Sequence, residues 1–198
     1  MANLSDAFGK IIVHKVAEEF VEFLNAVQGE GSYYLLADRG DYDNIELIDE
    51  DNSMEFQFST AGRWAYNTNL EGYLEGKWLQ DEERKPHYDK FIESLRAKGG
   101  SIVIEYYDSD TAMDWMGEGV ATLEVVDGEV SLRDDFESTN ITIKGFAEQQ
   151  GESEYWALEY IYGDEVSDAY NKYAEECKEK GVEPVEAEKW FETIYEEE

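Results

Sequence analysis

Residues 120–133 read VATLEVVDGEVSLR, and this stretch decides the fold class. Two runs in which apolar and polar residues alternate flank Asp127-Gly128. A two-residue type I′ turn needs positive φ at both central positions, which Asp-Gly accepts at little steric cost. The segment therefore predicts an antiparallel hairpin of Val120–Val126 and Glu129–Arg133. Working outward, Ser101–Tyr107 reads as a preceding strand, and Asn140–Phe146 and Ser153–Tyr162 as following ones, each short and rich in β-branched or aromatic residues. A β-meander is thus expected. Two helices close it, Asp164–Lys180 and about Val185–Tyr195, with Gly181 and Pro184 marking the gap.

Toward the N-terminus the period changes. Phe8, Ile11, Ile12, Val16, Phe20, Phe23, Leu24 and Val27 recur at spacings of three and four, which predicts an amphipathic helix over 5–28 with Ser5 as N-cap and Gly29 as its stop. Short strands are expected at Ser32–Ala37, Asn44–Ile48, Ser53–Ser59 (Met54, Phe56 and Phe58 on one face) and Arg63–Asn67. A helix follows over Asp81–Lys98, ending at Gly99-Gly100. The class is α+β. Residues 1–100 are expected to form a helix, small sheet and helix, and residues 101–198 a meander with two acidic helices, as two domains or one continuous one. The helix from Tyr88 to Gly99 echoes that from Tyr170 to Gly181 at an offset of 82. A diverged duplication and two ordinary charged helices both account for that echo.

Composition bounds the function. The chain has 198 residues, with 48 acidic against 16 basic, a net charge of −32. Such charge with low hydropathy normally marks disorder, but the aromatic share of 14% supplies material for a packed core. No apolar run nears the roughly 20 residues of a membrane helix, and anionic headgroups repel an acidic surface. Met1–Ser5 shows no basic segment leading into an apolar region. The single Cys177 gives no internal disulfide and suits a reducing compartment. The expectation is a cytoplasmic protein with no membrane partner.

Catalytic motifs are sparse. His14 and His87 stand far apart with no cysteine pair nearby, and no zinc spacing occurs. Cys177 lies among Glu175, Glu176 and Glu179, whose field disfavours a thiolate. Gly117-Glu-Gly119 lacks the rest of a dinucleotide fingerprint. Asp41-Tyr-Asp43, Asp108-Ser-Asp110 and the Asp38–Asp51 loop offer oxygen ligands, yet none completes a calcium loop. Glu75-Gly-Lys77 matches only a fragment of a nuclease site. In a chain this acidic such pairs arise by chance, so no enzyme, metal or cofactor is expected.

The charge is blocked. Residues 38–60 carry −7, 101–147 carry −9 and 148–198 carry −13, whereas 61–100 are neutral with seven acids and seven bases. Solubility needs a net magnitude of only about 2–8. Helical spacing aligns Glu188, Glu192 and Glu196, then Asp168, Glu175 and Glu179 near Asp164 and Glu165. The Asp38–Asp51 loop adds Asp38, Asp41, Asp43, Asp49, Glu50 and Asp51. A DNA duplex carries one charge per roughly 1.7 Å, so the net charge corresponds to about 16 base pairs or about 54 Å of duplex. A folded chain of this length is roughly 40 Å across. A groove built for nucleic acid therefore meets a comparable field, while nucleic acid itself is repelled. Trp64, Tyr66 and Trp115 are candidate anchors for such an interface, although burial in the core is the more ordinary fate for them.

In charge, size and lack of catalytic motifs, the whole chain resembles the acidic DNA-mimic inhibitors of phages and mobile elements, of the anti-CRISPR and antirestriction type. That resemblance is one of character and carries no diagnostic motif. It implies an inhibitor, acting in a bacterial host's cytoplasm, that occupies the basic DNA- or RNA-binding surface of a defence nuclease or its nucleoprotein complex. The acids named above would then stand in for phosphates. An immunity protein neutralising a cationic nuclease toxin uses the same physics. A halophile-adapted or divalent-metal-binding globular protein shares only the composition.

Overall fold

A strand occupies the place where the N-terminal pattern predicts the first half of a helix. The computed structural model describes residues 5–27, 36–42, 44–62, 65–110 and 115–195. The chain divides into two compact units, Met1–Thr139 and Asn140–Glu198. In the first, β1 (Ser5–His14) leads into α1 (Ala17–Val27). There follow α2 (Arg39–Tyr42), a 3-10 turn at Ile45–Leu47, β2 (Met54–Gly62), α3 (Tyr66–Leu74), α4 (Lys85–Lys98), β3 (Ser101–Asp110), β4 (Trp115–Val126), β5 (Glu129–Asp134) and β6 (Glu137–Asn140). The antiparallel sheet has the order β2-β1-β3-β4-β5, and β6 also pairs with β4.

β1 is central, paired with β2 on one side and β3 on the other. It therefore carries apolar residues on both faces. Ala7, Ile11 and Val13 point into the core, while Phe8 and Ile12 lie half-buried on the opposite face. Two apolar faces at period two gave the spacings of three and four that predict a helix. The break comes at Lys15, whose φ is +65°, and among the described residues of this stretch 17–27 are helical.

The hairpin forms as the sequence predicts. Asp127 and Gly128 adopt φ of +52° and +85°, and Val126 pairs with Glu129. β2 alternates perfectly, with Met54, Phe56 and Phe58 buried, and α4 ends at Gly99 in the left-handed region. Other expectations fail. Asn44–Ile48 contains a 3-10 turn, and of the expected strand Arg63–Asn67, residues 63 and 64 lie outside the described residues while Tyr66 and Asn67 open α3. Of Ser32–Ala37, residues 32–35 lie outside the described residues. The proposed boundary at residue 100 runs through the sheet, because β1 pairs directly with β3.

One face of the sheet meets the helices in a two-layer core. Phe23 stacks on Phe91 at 4.7 Å, and Phe20 lies 5.9 Å from Phe91. Tyr66 is fully buried between Phe58 and Tyr106 and donates its hydroxyl hydrogen to the Leu36 carbonyl at 2.6 Å. Two helix starts in this unit are capped from other elements. The side-chain oxygen of Asn52 accepts from Glu18 N–H at 2.9 Å, opening α1. Asp108 accepts from Tyr66 N–H at 2.6 Å, opening α3, whose own preceding residue Ala65 offers no side-chain cap.

The second unit is helical: α5 (Ile143–Gln150), α6 (Glu154–Tyr162), α7 (Asp164–Glu179) and α8 (Ala187–Tyr195). The strands expected at Asn140–Phe146 and Ser153–Tyr162 are thus corrected to helices. Thr142 and Ser153 are their N-caps, accepting from Gly145 N–H at 3.0 Å and Trp156 N–H at 3.1 Å. Aromatic pairs hold the unit together. Phe146 stacks on Trp156, Tyr162 on Phe191, and Tyr173 on Trp190. The two C-terminal helices form as expected. Two helices precede α7, whereas β2 and α3 precede α4, so the echo is not a repeated sheet-then-helix unit.

Asp108 makes the first unit sensitive to pH. It is fully buried and accepts hydrogen bonds from Ser5 and Tyr66. Burial raises its pKa to about 6 against those hydrogen bonds, with the nearby Asp110 adding to the rise. A folded pKa above the unfolded value means that the folded state binds more protons between pH 4 and 6. Stability from this group therefore increases as pH falls through about 6, by at most about 3 kcal/mol. Asp108→Asn keeps an acceptor for Tyr66 N–H but does not titrate. Urea unfolding should show wild type gaining on the Asn variant between pH 7 and pH 5; a difference constant across that range contradicts the assignment.

Candidate partner-binding surface

Where the bases go determines which acids remain available. Among the described residues, the cations of the neutral 61–100 segment form ion pairs within the first unit. Lys98 reaches Glu19 at 2.5 Å, Lys90 reaches Glu22 at 2.5 Å and Arg96 reaches Glu129 at 2.9 Å, tying α4 to α1 and β5. Lys85 pairs with Asp89 and Arg84 with Asp81. Glu75-Gly-Lys77 forms an ion-paired turn: Lys77 contacts Glu71 at 2.7 Å and Glu75 at 2.8 Å, and these hydrogen bonds push its pKa up to about 12.

The second unit has 17 acidic residues against five basic ones. On α7, the inward positions are Val166, Ser167, Tyr170, Tyr173, Ala174 and Cys177, buried or half-buried. The apolar spacing turns Asp164, Glu165, Asp168, Glu175 and Glu179 outward, all exposed. Among the described residues, no ion pair engages these five. They run along a helix of 16 residues, about 24 Å. Lys172 lies within the stripe and Lys180 pairs with Glu176 at 3.7 Å, so the row is strongly acidic but not purely so. On α8, Glu192 is exposed and Glu188 half-buried. Glu196 lies outside the described residues.

The 38–51 region is less uniform. Asp38, Glu50 and Asp51 are exposed. Asp49 is exposed too, but its carboxylate accepts from Asp51 N–H at 3.0 Å and Ser53 N–H at 2.9 Å, closing the turn into β2. That turn presents Asn52 to α1, so Asp49 serves the fold. Asp41 belongs to α2, and Asp43 lies outside the described residues.

One anchor expectation changes. Tyr66 is core, with no exposed surface, because its ring packs between Phe58 of β2 and Tyr106 of β3. Trp115 is half-buried at the start of β4, edge-on to Phe136 at 6.0 Å. Trp64 lies outside the described residues. Asp108 and Asp110 are buried. Among the described residues, no group of three or more His, Cys, Asp or Glu side chains is placed to hold a metal ion, and no helix is long and apolar enough to cross a membrane.

A second surface escaped the sequence reading. The sheet face opposite the helices carries an open depression of about 1020 Å³, lined in part by Phe8, Lys10, Glu105, Tyr107, Glu118 and Val120. Phe8 and Tyr107 stack across the β1–β3 step at 5.3 Å. The outward alternation of Glu105, Tyr107, Glu118 and Val120 is visible in the sequence, but only the strand order brings it beside Phe8.

Against models of known families, curated proteins and solved structures the chain finds no match.

Acids that hold the fold and acids free to act elsewhere should separate by mutation. Burial pushes Glu19 up, but hydrogen bonds from Lys98 and Asn52 outweigh it and hold its carboxyl below the ordinary value. Glu19→Ala should cost about 1–3 kcal/mol, whereas Glu175→Ala and Glu179→Ala should each stay within about 0.5 kcal/mol of wild type in urea unfolding. Equal losses at all three positions contradict the division.

Proposed function

We propose that the protein is a polyanion-mimicking inhibitor that binds the basic nucleic-acid-binding surface of a nuclease or nucleoprotein complex. The observation that carries this reading is the exposed α7 stripe of Asp164, Glu165, Asp168, Glu175 and Glu179, with no ion pair among the described residues. A chain with three acids for every base has opportunities to neutralise such a row, and self-repulsion weakens the folded state. Carboxylates left in this condition are pre-organised for an external cation, at no cost in broken internal pairs.

The chemistry follows from the field. A positively lined groove attracts the protein from a distance, which raises the association rate and makes affinity fall with ionic strength. Packing of apolar groups near the stripe supplies the part of the affinity that salt does not remove. Bacterial defence nucleases have grooves of this sign, which makes them the favoured class of target.

The test immobilises the protein, passes a bacterial lysate over it in about 50 mM salt and elutes at about 300 mM. Basic nucleic-acid-binding proteins should be retained and released by salt. The combined variant Asp168→Lys, Glu175→Lys and Glu179→Lys should lose at least tenfold in retention of the same species, as the loss of several phosphate-like charges requires. Retention unaffected by both salt and charge reversal contradicts the proposal.

A further inference from the structure

The open sheet face of the first unit has a composition that the α7 stripe lacks. Cross-strand register places Ser59, Phe8, Tyr107 and Glu118 in one row, and Gln57, Lys10, Glu105 and Val120 in the next. Tyr107 is 39% exposed and Val120 42%. One face of the Tyr107 ring lies against Phe8. The other is turned toward β4, where Glu118 is its direct cross-strand partner. Glu105, two residues before Tyr107 on the same strand face, flanks the ring on the adjoining row.

Charge on this face is negative except for two bases: Arg133 on β5, opposite Thr122, lies 3.6 Å from Asp135, and Lys10 is likewise occupied. Its ammonium lies 3.4 Å from Glu105 and 3.9 Å from Glu55. Glu118 and Glu137, at the rim of the depression, are exposed and engaged in no ion pair among the described residues. An aromatic ring bordered by carboxylates fits one side chain better than any other. The arginine guanidinium is planar and weakly hydrated, stacks on aromatic faces and pairs with carboxylates in a fork. A lysine ammonium is compact, strongly hydrated and makes no such stack. Anionic ligands, nucleic acid and lipid headgroups are repelled. A second copy brings the same sign of charge to the same face.

We infer that this face binds an arginine-bearing segment of a partner protein, with the guanidinium on Tyr107 and its hydrogen bonds to Glu118. The surface is built from β1, β3 and β4 and shares no residue with the α7 stripe. The inference therefore stands whether or not the partner also binds nucleic acid.

The intact protein is titrated by calorimetry with an acetylated six-residue arginine peptide and with its lysine counterpart, which has the same charge. Wild type should bind the arginine peptide about threefold to fivefold more tightly. Tyr107→Leu should erase that preference while leaving lysine-peptide affinity unchanged. Glu118→Gln, at an exposed position, should lower arginine-peptide affinity and keeps the test decisive if the Tyr107 variant does not fold. The α7 reversal Asp168→Lys with Glu175→Lys should weaken both peptides alike and leave the preference intact. Equal affinity of wild type for the two peptides overturns the inference. So does a preference that survives both sheet substitutions, or a self-dimer in sedimentation that Tyr107→Leu dissolves.

Discussion

The structure depends on how a few cations are shared among many carboxylates. With 16 basic residues for 48 acidic ones, the bases can match only a third of the acids one for one, and their placement decides which regions are electrostatically settled. In the first unit they fasten the helical layer to itself and to the sheet, as Lys98 and Lys90 do on α1 and Arg96 on β5. Arg96 and Lys98 also sit in the last turn of α4, where the helix macrodipole favours positive charge. Surface ion pairs are individually weak. Their effect here is to cancel repulsion where α1, α4 and β5 converge, so that Phe20, Phe23 and Phe91 can pack. The second unit relies instead on aromatic packing, with Tyr170 and Tyr173 around Trp190 and Phe146 against Trp156. Such packing tolerates a dense outer layer of charge because its strength does not depend on the exposed face.

What the sequence disclosed and what it concealed follow from how local each signal was. The Asp127-Gly128 hairpin, the alternation of β2 and the Gly99 helix stop are short-range patterns, and each formed as expected. β1 was misread because a central strand is apolar on both faces, and its spacings imitate a helix. No local cap corrected that reading. The cap of α1 is Asn52, 34 positions from the N–H it accepts, and the cap of α3 is Asp108, 42 positions away. In α5 and α6 the opposite occurred. Thr142 and Ser153 were legible local caps, but the aromatic and β-branched residues after them favoured strands. In the candidate sites, charge blocks pointed to α7, whereas the fate of single aromatics did not. Tyr66 is buried by strands on both sides, and Tyr107 is exposed because its side of β3 faces away from the helices. Topology decides that, and composition does not.

Under the proposed function and the inferred arginine site, the two candidate surfaces would divide recognition along chemical lines. The carboxylates of α7 carry uncompensated charge, suited to long-range attraction and to a partner read by its field. The sheet face adds an aromatic platform with carboxylates at fixed register, suited to the identity of a particular side chain. Fields supply speed and salt sensitivity, and packed anchors supply lifetime. Neither surface uses the residues that maintain the fold, since Asp108, Asp49 and Glu19 are committed to caps, turns and internal pairs.

The most direct test of polyanion mimicry is exclusion. A retained basic partner is mixed with a labelled duplex of about 16 base pairs, the length that matches this protein's charge, and with this protein, and the species are resolved by sedimentation velocity. Only the two binary complexes should be present, with each ligand displacing the other in proportion to its concentration. A stable ternary complex of partner, duplex and protein contradicts the idea that these carboxylates occupy the place of phosphates.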